Sequence, residues 1–347
     1  MSLRRATGGL RGVRTGLLLA LGSTLVALLG AEAALRASDY GQMRGIEPNS
    51  DDPILVYTQE PGDRQTPAGH REHFNGYGFR EREISPFKTR TRVVAVGDSF
   101  TYGLEVGPED AWPAHLERRL NAGHEADRQP PHEVFNFGML GYNTCQEDRV
   151  VERFVLDLDP DLLLLGWYAN DPERVTWNPP ICGHCLTDCS LADRAAEALT
   201  HRTRLGLAAA KGVRGLRDGA VGGAEGPSGP WGYLYRPQGI YWRGMAASLT
   251  RIVERARAAS VPMAVVVFPE AFARSPNWRT DAIGALCDDL GVPWIDLRPA
   301  LPGDELQWRV PKDRSHLNAA GAAASAAAIE GFLAREGLLP GADGGAL

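Results

Sequence analysis

The sequence predicts an α/β fold: a three-layer sandwich around a mostly parallel, five-stranded sheet, preceded by an N-terminal apolar helix. Three observations lead there. Short apolar runs alternate with segments whose apolar residues recur at helical spacing. The runs are unbroken by polar residues, as strands buried on both faces require. Hairpin signals are few, which favours crossover connections.

The elements follow in order. Val93 to Val96 (VVAV), ending at Gly97, reads as the first strand, and Trp112, Leu116 and Leu120 mark a helix. Val134 to Phe137 (VFNF) is the second strand; Val150, Val151, Phe154 and Val155 form the next helical face. Leu162 to Trp167 (LLLLGW), set off by Pro160-Asp161, is the third strand. An insertion at 172–238 then holds a cysteine cluster and a Gly-rich stretch, Gly212 to Pro230, read as a flexible loop. Met245, Leu249, Ile252, Val253 and Ala256 restore a helix before the strand Met263 to Phe268. Ile283, Leu286, Cys287 and Leu290 are helical, and Pro293 to Leu297 is the fifth strand. An Ala-rich helix closes the domain from about Ala319 to Glu336, with Asn318 placed to cap it. The expected organisation is a signal segment (1–36), a polar linker and extension (37–90), the main domain (91–338) and a short tail (339–347).

The chain has 347 residues and a net charge of −6, and four arginines near its start (Arg4, Arg5, Arg11, Arg14) mask a more acidic body. Such a body is a poor match for phosphate backbones, so no nucleic-acid partner is expected. The basic start is followed by an uncharged run, Gly16 to Ala31, ended by Glu32. That is the layout of an export signal. It points to a membrane anchor with the domain outside the cytoplasm; the alternative is cleavage after Ala33 and secretion.

Outside the cytosol, disulfides are the default. Cys287 lies in a helical pattern and reads as a buried thiol. Cys145, Cys182, Cys185 and Cys189 remain, an even number for two bridges of undetermined pairing. A zinc site using His184 and the clustered cysteines is the competing reading.

In parallel sheets, the loops after the strands' carboxyl ends build the site. After the first strand comes GDSFTYG, where Ser99 presents a hydroxyl at the rim and an N–H at a helix start. After the second comes NFGMLGYNT, where Gly141 brings a bare backbone N–H close to a ligand. After the third comes GWYANDPE, where Asn170 offers an amide donor. Before the last helix stands KDRSHLN, where His316 is a base for a hydroxyl and Asp313 an orienting carboxylate. Each alone has a plainer reading: a capping serine, a loop glycine, an Asn-Asp-Pro turn, a surface turn.

Taken in order, the four blocks resemble the SGNH hydrolases, also called the GDSL family, whose blocks contribute a Ser, a Gly, an Asn and an Asp-x-x-His. The resemblance covers about residues 91–337; the glycine usual before the Asn is Ala169 here. It implies that Ser99, Asp313 and His316 form a catalytic triad. The oxyanion hole would comprise the N–H groups of Ser99 and Gly141 and the Asn170 amide. It implies no cofactor and no metal, and a small-molecule or carbohydrate ester as substrate. Acetyl esters of envelope or extracellular carbohydrate are the expected case. A polysaccharide O-acyltransferase is the first alternative, although related-looking alginate acetylation proteins place the Asp-His pair before the Ser block. A non-catalytic envelope scaffold is the second. Asp171, Tyr102, Tyr142, Trp167 and Tyr168 are candidate substrate contacts; Trp177 is a further aromatic near these loops.

Overall fold

A computed structural model describes residues 4–38, 49–66, 69–123, 131–173, 178–201, 205, 206, 208, 234–270 and 277–339. The Gly-rich stretch 212–230, Trp177 and most of the tail lie outside the described residues.

The chain opens with one long helix, α1 (Arg4–Ala37). Its Thr15–Ala37 portion has mean hydropathy 1.9 and is not buried against the rest of the protein, so it is long and apolar enough to cross a membrane. A small antiparallel hairpin follows, β1 (Gly62–Gln65) with β2 (Arg71–Phe74). The main sheet comprises β3 (Thr91–Gly97), β4 (His132–Gly138), β5 (Leu162–Trp167), β6 (Met263–Val267) and β7 (Trp294–Asp296). All pairings are parallel, in the order β4-β3-β5-β6-β7. This is the flavodoxin-like order, and its switch point lies at β3, between β4 and β5.

The helices cover both faces. They are α2 (Ser99–Tyr102), α3 (Trp112–Leu120), α4 (Thr144–Val150), α5 (Leu191–His201), α6 (Ile240–Ala258), α7 (Trp278–Leu290) and α8 (Ala319–Arg335). Alternate residues along each strand face opposite layers. Val94, Val96, Leu163, Leu165, Val265 and Val267 pack against α4, α6 and α7. Val93, Ala95, Leu162, Leu164, Ala264 and Val266 pack against α3 and α8. The expected strands and helices therefore sit where the apolar runs placed them. One local departure is a π turn, Val151–Val155, that continues α4 where a regular helix was expected.

The segment read as a linker contributes side chains to the core. Leu55, Tyr57 and Phe79 are buried in the α4–α6–α7 layer. The Tyr142 hydroxyl donates to the Tyr57 carbonyl at 2.5 Å, and the Gln146 amide donates to that of Leu55 at 2.8 Å. Asp52 receives Arg149 and Arg153 at 2.7 and 2.9 Å.

β4 is an edge strand, yet its outward amides are satisfied. His132 N–H donates to Asn121 Oδ1 (3.1 Å) and Val134 N–H to Glu117 Oε2 (2.6 Å). Asn136 N–H donates to Glu81 Oε2 (2.8 Å) and Gly138 N–H to Asn136 Oδ1 (2.9 Å).

Candidate active site

The site grows from the carboxyl end of β3. Gly97 is level with Gly138 on β4 and with Gly166 on β5. This row of glycines leaves a bare floor, and α2 sits directly on it: a Cβ at Gly97 or Gly166 would strike Thr101, and one at Gly138 the backbone of Tyr102. Asp98 caps α2 by accepting the Phe100 N–H at 2.8 Å, and Gly103 ends it in the left-handed conformation, φ 79°. Ser99 is thereby fixed as the first residue of a helical turn at the switch point.

The Ser99 Oγ lies 2.7 Å from His316 Nε2. His316 Nδ1 lies 2.5 Å from Asp313 Oδ2. The other Asp313 oxygen accepts the N–H groups of Ser315 (2.6 Å) and His316 (2.9 Å), so the carboxylate folds its own loop around itself. Partial burial opposes ionisation of Asp313, but the His316 N–H, the His316 ring and the Ser315 N–H outweigh it. The Asp313 pKa lies below its usual value. On its other side the His316 ring meets Phe100, centroids 4.9 Å apart, and Phe100 stacks on Tyr168 at 4.0 Å.

The loop is also held from beneath. Arg309 is buried; it donates to the Ser315 carbonyl and, at 2.8 Å, to the Pro269 carbonyl beyond β6. Arg309 and Leu317 form a bridge across the turn.

Gly141 lies in the turn beyond β4 with φ 72°, a conformation that favours glycine, and its carbonyl accepts from Asn178 at 2.9 Å. Asn170 lies in the turn beyond β5, and its side-chain amide is near enough to Asp98 to favour the ionised carboxylate. Asp98, the cap of the Ser99 helix and a neighbour of Asn170, is a residue that sequence reasoning missed; the signal was an Asp at the N-cap position of a short helix. Burial raises the Asp98 pKa against the Phe100 N–H, the charge of His316 and the Asn170 amide.

Behind Asp98 lie two more buried acids, Glu147 and Asp171, whose carboxylate oxygens lack hydrogen-bond partners among the described residues. Burial first, and then repulsion from the neighbouring acids, pushes both well above the usual carboxylate range. Asp171 was a candidate substrate contact; at 2% exposure it meets protein, not solvent. The same correction applies to Tyr142 and Trp167, each 1% exposed, because both pack in the core behind the loops. Tyr102 is also buried, but its ring borders a cavity beside the site and its hydroxyl donates to Glu72 at 3.0 Å. Tyr168 is half-buried on Phe100.

Four cysteines form two disulfides, Cys145–Cys185 and Cys182–Cys189, which takes their sulfurs out of the competing zinc reading. The first ties the start of α4, just past the Gly141 loop, to the insertion. Cys287 is a buried free thiol, pushed up to about 12 by burial.

A crystal structure of an Axe2 catalytic mutant, an acetylxylan esterase from Geobacillus stearothermophilus, is 14% identical; the match covers 72% of this chain and 96% of that one, with a TM-score of 0.43. An esterase, EstA from Pseudoalteromonas sp., is 12% identical over 71% of this chain and 98% of its own, TM-score 0.42. TesA is 14% identical over 70% and 97%, TM-score 0.41. No curated protein matches the chain. The sequence model of the GDSL-like Lipase/Acylhydrolase family matches residues 95–324, a span that begins within β3 and ends within α8. The match takes in Ser99, Gly141, Asn170, Asp313 and His316 in order, and the chain belongs to the GDSL-like lipase/acylhydrolase family of ester-acting hydrolases.

Proposed function

We propose that the chain is a serine esterase that removes small acyl groups, with acetylated carbohydrate as the substrate class. The observation that carries this reading is the unbroken contact line from Ser99 Oγ through the His316 ring to Asp313. His316 Nε2 takes the Ser99 proton as Oγ bonds to the ester carbon. Asp313 holds the Nδ1–H and favours the cationic ring. The carbonyl oxygen becomes an anion facing the N–H groups of Ser99 and Gly141 and the Asn170 amide. An Asn amide carries two N–H donors, and Asn170 turns one of them to the anion. His316 then returns the proton to the leaving alcohol, the C–O bond breaks, and water repeats the cycle to free Ser99 and the acid.

Small acyl size is supported by the crevice at Ser99 and His316. Its volume is about 10 Å³, and Phe100, Leu104, Val106, Trp112 and Leu317 close it. That is room for one water-sized group, the size of an acetyl methyl. The two disulfides and the exposed apolar α1 support a domain tethered outside the cytoplasm.

The test is an ester panel from acetyl to long acyl chains, beside Ser99→Ala and His316→Ala. Acetyl esters are expected to be the best substrates. Each variant is expected to lose about 10³-fold or more in kcat while keeping its Tm. Fluorophosphonate labelling of folded protein at a residue other than Ser99 overturns the reading.

A further inference from the structure

Beside the Ser99 crevice is a second, much larger space. A cavity of about 400 Å³ lies between the β1–β2 hairpin and the loop after α2. Leu104 and Val106 line both spaces. Leu140, next to Gly141, and Lys312, next to Asp313, also line the cavity. It therefore adjoins the loops of the nucleophile, of Gly141 and of the Asp-His pair.

The hairpin wall is built in, not loosely laid on. Glu72 on β2 receives Arg80 at 2.9 Å and the Tyr102 hydroxyl at 3.0 Å, and Arg80 continues to the Gly103 carbonyl at 3.0 Å and that of Val106 at 3.0 Å. The hairpin is thus riveted to α2 and the loop that follows it. It lies outside residues 95–324, the span that the family model matches.

We propose that this cavity is the subsite for the alcohol part of the ester, and that it selects a polyhydroxylated alcohol carrying a negative charge, such as an acidic sugar unit. The proposal rests on Ser99 being the nucleophile. On the proposed reading the small crevice takes the acyl group, so the bulk of a substrate lies elsewhere, and among the described residues this cavity is an adjoining space of ligand size. Its lining mixes an apolar floor (Leu104, Leu140) with amide and hydroxyl groups (Gln59, Gln65, Thr66), the mixture that suits a sugar. Its charges favour an anion. Arg64 and Lys312 are cationic, Glu72 is neutralised by Arg80, and Glu105 is the remaining acid. Arg64 is held over the Phe74 ring, 4.7 Å from its centroid, and donates to Gln59 at 2.6 Å. Lys312 is exposed and forms no ion pair among the described residues.

The test compares an O-acetylated glucuronoside, the matching O-acetylated glucoside and p-nitrophenyl acetate on the full chain in detergent. The wild type is expected to favour the glucuronoside in kcat/KM. Arg64→Ala and Lys312→Ala are each expected to lower that preference about 3- to 5-fold, through KM. Lys312→Arg is expected to retain the preference and Lys312→Glu to reverse it, with Tm and fluorophosphonate labelling of Ser99 unchanged throughout. No preference in the wild type, or variants that slow both sugars equally, overturns the subsite. Hydrolysis of p-nitrophenyl acetate that survives Ser99→Ala instead overturns the serine-esterase reading beneath it.

Discussion

Gly138 on β4 stands level with Gly97 on β3, and α2 rests on the gap that their missing side chains leave. The position of the Ser99 hydroxyl is therefore set partly by atoms that are absent. A methyl at Gly138 meets the backbone of Tyr102, which has no flexible end to swing aside. Gly138→Ala is expected to cost about 1–3 kcal/mol of stability and to displace α2. Thermal unfolding and Ser99 labelling rate check this together: both should fall, and an unchanged labelling rate would show that α2 does not depend on this floor.

Arg309 acts on His316 at one remove. It joins the Ser315 carbonyl to the Pro269 carbonyl, and neither partner touches substrate in the proposed reaction. Removing it frees two acceptors and loosens the Asp313–His316 turn. Arg309→Gln is expected to lower kcat about 10- to 100-fold with KM little changed. Arg309→Lys, which keeps a cationic donor of longer reach than Gln, should recover part of the loss, whereas a fall in Tm with unchanged kcat would make the residue a structural prop only.

The buried acids behind the site make stability depend on pH. An acid whose folded pKa is raised binds a proton in the native state that it has released in the unfolded chain. Native stability then declines as pH rises past the ordinary carboxylate value, until the folded pKa is passed. For Asp171 and Glu147 both shifts are upward. Asp171→Asn is expected to raise Tm at pH 8 by a few degrees while changing it little at pH 4. An equal gain at both values would contradict the titration argument.

Asp313 has the opposite sign. Its lowered pKa contributes stability above the ordinary carboxylate value, and that contribution is lost as pH falls through the folded value. Asp313→Asn is expected to remove that acid-side dependence and to lower kcat about 10³- to 10⁴-fold. A pH series of Tm and kcat reads both.

The Cys145–Cys185 bridge spans 40 residues between the Gly141 side of the site and the insertion. Replacing both residues with Ser is expected to cost about 2–4 kcal/mol. Unfolding in denaturant measures the loss directly.

The strands were legible because each is a plain apolar run, such as Val93 to Val96 or Leu162 to Leu165, and such runs have few other places to go. Ser99, His316 and Asp313 were legible because loops after parallel strands converge. The hairpin was not, because GDRQ and REHF carry no apolar alternation; its place depends on the buried contacts of Glu72 with Arg80 and with the Tyr102 hydroxyl. The Asp98–Glu147–Asp171 group escaped for a related reason: its members come from three separate segments, a helix cap, helix α4 and the turn beyond β5, and acids read as solvated until neighbours cover them. Tyr142 and Trp167 misled in the other direction, since an aromatic near a site loop looks the same in sequence whether it faces ligand or core. The disulfide partners had no sequence signature beyond an even count.

The rim of β4 has a consequence for how copies of this protein meet. Asn121, Glu117, Glu81 and Asn136 occupy each outward amide from His132 to Gly138. A passing chain looking for a free ladder finds every outward N–H donor on this side taken by the protein's own side chains. To continue the sheet here it would have to evict two carboxylates and two amides at once. Crowding alone gives no reason to do so, and this flank stays closed to strand-by-strand growth.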